Sequence, residues 1–342
     1  MPQFNWTPQT LFSLTHETWK ASAVQAGLSL GLFGAIAALG AGATAAKVAQ
    51  KAKTDPRATA ALLTALVALE LVERAGETFS LPEFSLAYLV EESPDYFGHI
   101  LLHTGHLAPA WANLAQTVKS GKKHEPPVLA DAAAREAWEK KRFRSFLMGM
   151  YNVASLQAPL LAQAVDLAGA QSLLDLGGGP GTYAAAFCAA NPNLKAVVFD
   201  RPGSAELAQE VLAKYQVADR VSFVGGDFLE SPLPQGFDAV WLSQVLHGES
   251  AANALKLVQR AAETLKAGGK LFIQEFVLDD DRRGPLGPAL FALNMLLQTD
   301  GGAAYAYGEI REMMEKANIA SVREISAPLP PGNRVLWGVR AA

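Results

Sequence analysis

The chain has 342 residues, half of them apolar and 18% charged, with a net charge of −4 and one cysteine. That length exceeds one ordinary domain and that composition excludes a disordered or fibrous protein, so two folded units are expected. The negative balance argues against a nucleic-acid partner, and the lone Cys188 excludes an intramolecular disulfide and a multi-cysteine zinc site, which fits a cytoplasmic protein.

The first residues, Met1 to Asn5, show no basic stretch followed by an apolar core, so no secretion signal is read there. Residues 21–46 carry no formal charge and are long enough to cross a bilayer. Their content is mainly Ala, Gly, Ser and Thr, which gain little from insertion, so packed helices and no membrane partner are expected.

From Trp19 to Leu39 apolar residues recur with a helical period, and Asp55-Pro56 opens a helix through Leu62, Leu63, Leu66 and Leu69. Leu71 to Arg74 and Thr78 to Leu81 flank a turn at Ala75-Gly76-Glu77, a short hairpin. Three helices followed by a hairpin make a winged helix, which in many proteins reads DNA. Residues 1–100 hold six Lys and Arg against nine Asp and Glu, a poor footprint for phosphates, so this module is expected to serve dimerisation.

Residues 96–168 read as helices with a loop at 121–127. From Gln171 short β-rich runs alternate with helical segments, the pattern of a parallel sheet flanked by helices. The predicted strands are Ser172 to Leu176, Lys195 to Asp200, Val221 to Gly225, Ala239 to Ser243 and Lys270 to Val277. Ser321 to Ile325 and Arg334 to Val339 follow as an antiparallel hairpin. The expected divisions are 1–95, a winged-helix domain; 96–168, connecting helices that contribute to a substrate pocket; and 169–342, an α/β catalytic domain.

The first of these strands runs into Asp175-Leu176-Gly177-Gly178-Gly179-Pro180-Gly181-Thr182. Glycines at the carboxyl end of a parallel strand let a ligand approach the backbone. Position 182, where a dinucleotide fingerprint wants Gly or Ala, is Thr, which favours an adenosyl ligand without a pyrophosphate. Asp200 ends the second strand, 23 residues after Gly177, where an acid can accept from both ribose hydroxyls. Gly225-Gly226-Asp227-Phe228 ends the third, offering a carboxylate for the adenine amino group and an apolar face for its ring. Each acid could instead cap the following helix, but a glycine turn and two acids at three successive strand ends read as three parts of one nucleoside site.

The fourth strand ends in Ser243-Gln244-Val245-Leu246-His247-Gly248-Glu249-Ser250, with Ser250 placed to cap the next helix. A phenol has a pKa of about 10 and is a poor nucleophile when neutral; a neutral His over the cleft can remove its proton during attack on a methyl carbon. Glu275, at the end of the fifth strand, can orient that His and stabilise its charged form. His99, His103 and His106 share a helix face at metal-ligand spacing, yet only Asp95 is at hand as a carboxylate, so packing, a dimer contact or a pocket wall is the reading and no metal is expected. Phe143, Phe146, Met150, Phe291, Met295 and Leu296 are spaced as apolar helix faces, which serve as core or as walls for a flat substrate.

In this order the motifs resemble the class I O-methyltransferases of plants and bacteria that act on small molecules, over nearly the whole chain. Ser29-Leu30-Gly31-Leu32-Phe33 looks like that family's dimerising winged helix, and Val197 to Pro202 like its second-strand signature. The resemblance implies a Rossmann-like domain of seven strands and a homodimer. It implies S-adenosylmethionine held by Asp175, Gly177, Gly179, Asp200, Arg201, Gly226, Asp227, Phe228 and Ser243, with Asn294 and Met295 lining the acceptor pocket. It also implies His247 as base with Glu275 beside it.

Three positions depart from the family. Ala304, in Gly301-Gly302-Ala303-Ala304-Tyr305-Ala306, stands where a second acid is usual; Gly248 replaces the acid after the His; Ser243 replaces a lysine of plant members. These departures point away from plant phenylpropanoids. The expected activity is methyl transfer to a hydroxyl of a small aromatic or polyketide-like substrate, with methylation of carbon or nitrogen on a larger ring, or a non-catalytic winged-helix regulator, as alternatives.

Overall fold

A computed structural model describes residues 5–125 and 131–341, with two compact units, Met1–Ala108 and Pro109–Ala342. The predicted loop at 121–127 is neither helix nor strand through residue 125, and its last two residues lie outside the described ones.

The first unit contains α1 (Pro8–Ser29), α2 (Leu32–Leu39), α3 (Ala45–Ala52) and α4 (Pro56–Ala68), the hairpin β1 (Glu73–Ala75) and β2 (Thr78–Ser80), α5 (Glu83–Tyr88) and most of α6 (Gly98–Ala112). The periodicity expected over Trp19 to Leu39 is two helices, because the chain turns at Leu30-Gly31. Asp55 caps α4 by accepting from the Ala58 amide at 2.8 Å, with Pro56 in the first turn, where its missing N–H costs nothing. Leu32, Phe33, Ile36, Leu63, Leu66 and Phe79 close a core of their own. No single described helix is long and apolar enough to cross a membrane; α1 with Leu32–Gly42 passes by length and composition but is bent by 57°.

The second unit continues with α7 (Leu114–Ser120) and α8 (Ala132–Ala164). There follow β3 (Ser172–Leu176), α9 (Thr182–Ala190), β4 (Lys195–Asp200), α10 (Ala205–Lys214), β5 (Val221–Gly225), β6 (Phe237–Ser243), α11 (Ala251–Glu263), β7 (Leu265–Phe276), α12 (Leu286–Gln298), α13 (Tyr307–Lys316), β8 (Ile319–Ile325) and β9 (Asn333–Arg340). Three predicted strands match to the residue; β6 and β7 begin earlier than their apolar runs.

The seven strands lie in the order β5-β4-β3-β6-β7-β9-β8. Pairing is parallel from β5 to β7, and β9 runs antiparallel between β7 and β8. Alternation of side chains along the strands feeds two cores. Leu174, Leu176, Val240 and Leu242 pack with Leu257 and Val258 of α11, whereas Leu173, Ala239 and Trp241 pack with Ala184 and Phe187 of α9. The chain builds outward from β3 through β4 to β5, then returns to the other side of β3 with β6. That reversal leaves a crevice at the carboxyl ends of β3 and β6, where open α/β sheets bind ligands.

Candidate active site

Register fixes which strand ends are neighbours: Leu176 pairs with Phe199 on one side and Leu242 on the other, Asp200 with Gly225, and Ser243 with Gln274. The four motifs read separately along the chain therefore end side by side.

At the tip of β3, Gly177 has φ +74°, and a Cβ there would stand 2.6 Å from Val245 Cγ2, so only glycine fits the turn. Asp175 lies behind the turn. Its side chain is fully buried; Oδ2 accepts from the Ala184 amide at 3.2 Å and Oδ1 has no partner among the described residues. Burial, with a smaller push from Asp200, raises this carboxyl to about 7 against the pull of the Ala184 N–H. Asp200, at the tip of β4, reaches into the same turn. Its Oδ2 accepts from the Gly179 amide at 2.8 Å, and its Oδ1 accepts from Arg201 N at 2.7 Å and the Ser204 hydroxyl at 2.9 Å. Beyond β5, Gly226 N donates to Asp200 O at 2.9 Å, Asp227 Oδ1 accepts from Leu229 N at 2.7 Å, and Phe228 is half-buried against the α11 core. Part of each acid thus does cap local backbone.

His247 stands on a single 3-10 turn, Leu246–Gly248, directly after β6. Its Nδ1 lies 2.8 Å from Glu275 Oε2, and its backbone amide donates to Glu275 Oε1 at 3.3 Å. The Glu275 side chain is 2% exposed and the imidazole 15%. A carboxylate only accepts, so this contact places the proton on Nδ1 and leaves Nε2 as the basic nitrogen. Phe291 of α12 meets the imidazole edge-on with centroids 4.7 Å apart, and Phe276 lies 4.3 Å from Phe291. One turn beyond Phe291, Asn294 carries a buried Oδ1 without a partner among the described residues, while Met295 is buried in α12.

Residues 111–319 match the O-methyltransferase domain family and residues 12–91 the O-methyltransferase dimerisation domain family. The chain is 33% identical to 3-hydroxy-5-methyl-1-naphthoate 3-O-methyltransferase of Streptomyces sahachiroi, covering 99% of this chain and 97% of that protein. It belongs to the S-adenosylmethionine-dependent O-methyltransferases. It is also 33% identical to the N,N-dimethyltransferase OxyT of Streptomyces rimosus, over 79% of both chains. Among solved structures it resembles human N-acetylserotonin methyltransferase in complex with SAM at TM-score 0.85 and 25% identity, covering 99% of this chain and 100% of that one.

The residues of this methyltransferase fit its methyl donor: a turn lined by backbone rather than side chains faces a carboxylate at the next strand tip, and buried Thr182 stands where a dinucleotide fingerprint takes glycine for close helix–strand packing. Ser243 donates its hydroxyl to Gln274 Oε1 at 2.9 Å. Gln274 Nε2 in turn donates to Gln157 Oε1 at 2.6 Å and Asn333 Oδ1 at 3.1 Å, and Asn333 Nδ2 donates to Gln157 Oε1 at 2.9 Å. This buried floor joins α8, β6, β7 and β9. Sequence reading missed Gln157, Gln274 and Asn333; the one available signal was a glutamine directly after the apolar run Leu271 to Ile273.

Phe146 and Met150 lie a turn apart on α8, either side of Leu147, and a Cβ at Gly179 would touch Leu147 at 3.7 Å, so α8 passes over the glycine turn. Ala304 is buried and brings no second carboxylate. On α6, His99 packs edge-on against Tyr96 with centroids 4.8 Å apart, and among the described residues no three His, Cys, Asp or Glu side chains gather as a metal requires.

Proposed function

We propose that the enzyme methylates a phenolic hydroxyl on a small fused-ring aromatic acceptor of polyketide type, with His247 as general base. S-adenosylmethionine, when bound, supplies an electrophilic methyl carbon on a sulfonium. Gly177, Gly179 and Gly226 present backbone to it, Asp200, Arg201 and Ser243 its polar contacts, and Asp227 with Phe228 the adenine contacts. Asp175 supports the turn from behind. Phe146, Met150, Phe291, Asn294 and Met295 wall the acceptor. His247 takes the hydroxyl proton on Nε2, and Glu275 stabilises the imidazolium, a contribution typically worth 10²–10⁴ in rate.

The observation that carries this reading is the buried Glu275 carboxylate 2.8 Å from Nδ1 of an imidazole that also touches an aromatic wall. Similarity to a naphthoate 3-O-methyltransferase over 99% of the chain favours a fused phenol as acceptor. We assign residues 1–95 to homodimerisation, 96–168 to connecting helices that help build the pocket, and 169–342 to catalysis. In support, Leu11, Phe12 and Trp19 of α1 are 59%, 63% and 65% exposed, an apolar face suited to a second copy. The buried free thiol of Cys188 supports a cytoplasmic setting.

Calorimetry with S-adenosylhomocysteine, followed by a methyl-transfer screen over naphthols, phenols and arylamines, tests the reading. His247→Ala is expected to bind S-adenosylhomocysteine normally and lose at least about a hundredfold in rate. Equal rates would remove His247 from the chemistry. The likeness to OxyT favours one second reading, methylation of an amine, for which Nε2 would accept an ammonium proton; turnover of arylamines alone would select it.

A further inference from the structure

We propose that Tyr305 is a positioning residue for the base, its buried hydroxyl holding the turn that carries His247. The inference rests on the reading of His247 as the base.

A single 3-10 turn ending in Gly248 has little stiffness of its own, and a base displaced by about 1 Å can cost on the order of a hundredfold in rate. Glu275 grips the turn from β7. The 299–305 loop supplies further holds. Thr299 Oγ1 accepts from the Gly302 amide at 2.8 Å, the Ala303 amide donates to the His247 carbonyl at 2.9 Å, and the Tyr305 hydroxyl donates to the Glu249 carbonyl at 2.6 Å. Gly302 lies so near the His247 carbonyl that a side chain there would push the loop away.

Tyr305 is itself anchored, its carbonyl accepting from the Leu278 amide at 3.0 Å. Leu278 follows Glu275 by three residues on the run out of β7, so one segment fixes both the carboxylate on Nδ1 and the phenol on the far side of the turn. Tyr305 is 5% exposed; burial, with Glu275 and Glu249 nearby, pushes its phenol to about 12, so the hydroxyl stays protonated and donating across the neutral range. In a stretch where Ala304 offers no carboxylate, a neutral clamp takes over the ordering of the turn.

Tyr305→Phe removes the hydroxyl alone. We expect kcat to fall about tenfold while KM for the acceptor and affinity for S-adenosylhomocysteine stay within about twofold, the signature of misplaced rather than lost groups. The downfield proton resonance of the His247 Nδ1–H shared with Glu275 should broaden or move. Unchanged kcat with an unchanged resonance overturns the proposal, as does a parallel loss of S-adenosylhomocysteine affinity, which would mean general loosening. If the variant folds too poorly to assay, the native enzyme decides: a slowly exchanging Tyr305 hydroxyl proton supports the clamp, and rapid exchange with solvent overturns it. Full activity in His247→Ala would instead sink the base assignment, while the hydroxyl-exchange measurement would still report on the clamp.

Discussion

The two sides of the crevice are built by different means. On the β3–β4 side, a glycine turn is braced by one carboxylate 21 residues away, and nearly every contact runs to backbone. On the β6–β7 side, His247 is held by a side chain 28 residues on and by a loop more than 50 residues away, above a floor whose partners are separated by 117 and 176 residues. The first side is a local motif, the one proposed to hold the nucleoside. The second is a long-range assembly of side chains.

The largest expected effect falls on the long-range side. Glu275→Gln puts an amide N–H against one of the donors now served by the carboxylate, Nδ1, His247 N or Phe276 N. Steady-state assays should show kcat lower by about a hundredfold with S-adenosylhomocysteine affinity preserved. A loss of affinity would mean the two sides are one unit.

Gly177→Ala is the reciprocal experiment. A Cβ at φ +74° facing Val245 strains the turn by about 1–3 kcal/mol, and calorimetry should show roughly tenfold weaker S-adenosylhomocysteine binding. Unchanged affinity would remove the glycine turn from the nucleoside site.

Asp175 sharpens the comparison through pH. Its folded value of about 7 lies above the ordinary carboxylate value of about 4, so between these values the folded protein keeps a proton that the unfolded chain has released. Stability without ligand should therefore decline as pH rises from about 4 to about 7 and level off above, and Asp175→Asn should flatten that slope in melting temperatures measured at pH 5 and 8.

The smallest effect is expected at the opposite end of the sheet. Burial works against ionising Asp238, but hydrogen bonds from Lys266, Gln171 and Ser172 outweigh it and hold its carboxyl down at about 2. Asp238→Asn should cost about 1 kcal/mol at neutral pH. The difference from the parent should vanish as pH falls from about 4 through 2, with kcat and ligand affinity untouched.

Much of this was written locally. Periodicity, an Asp-Pro start and a Gly-Gly-Gly-Pro-Gly turn fixed the helices, the strands and the nucleoside side, because capping, alternation and turn geometry involve residues within a few positions of each other. His247 and Glu275 were nameable because one follows a strand's end and the other lies at the end of the next strand, and parallel strands in neighbouring register deliver their tips to one edge. The turn at Leu30-Gly31 and the early start of β7 were not legible, since apolar spacing continues through the first and is absent from Lys266 to Gly269 in the second.

Only the tertiary structure decided how His247 is held. Gln157, Gln274 and Asn333 are unremarkable polar residues until burial forces each to find a partner, and Tyr305 resembles any other core aromatic until its hydroxyl meets Glu249 O. Most buried polar atoms are satisfied by whatever segment lies within about 3 Å, and which segment that is depends on packing rather than on distance along the chain.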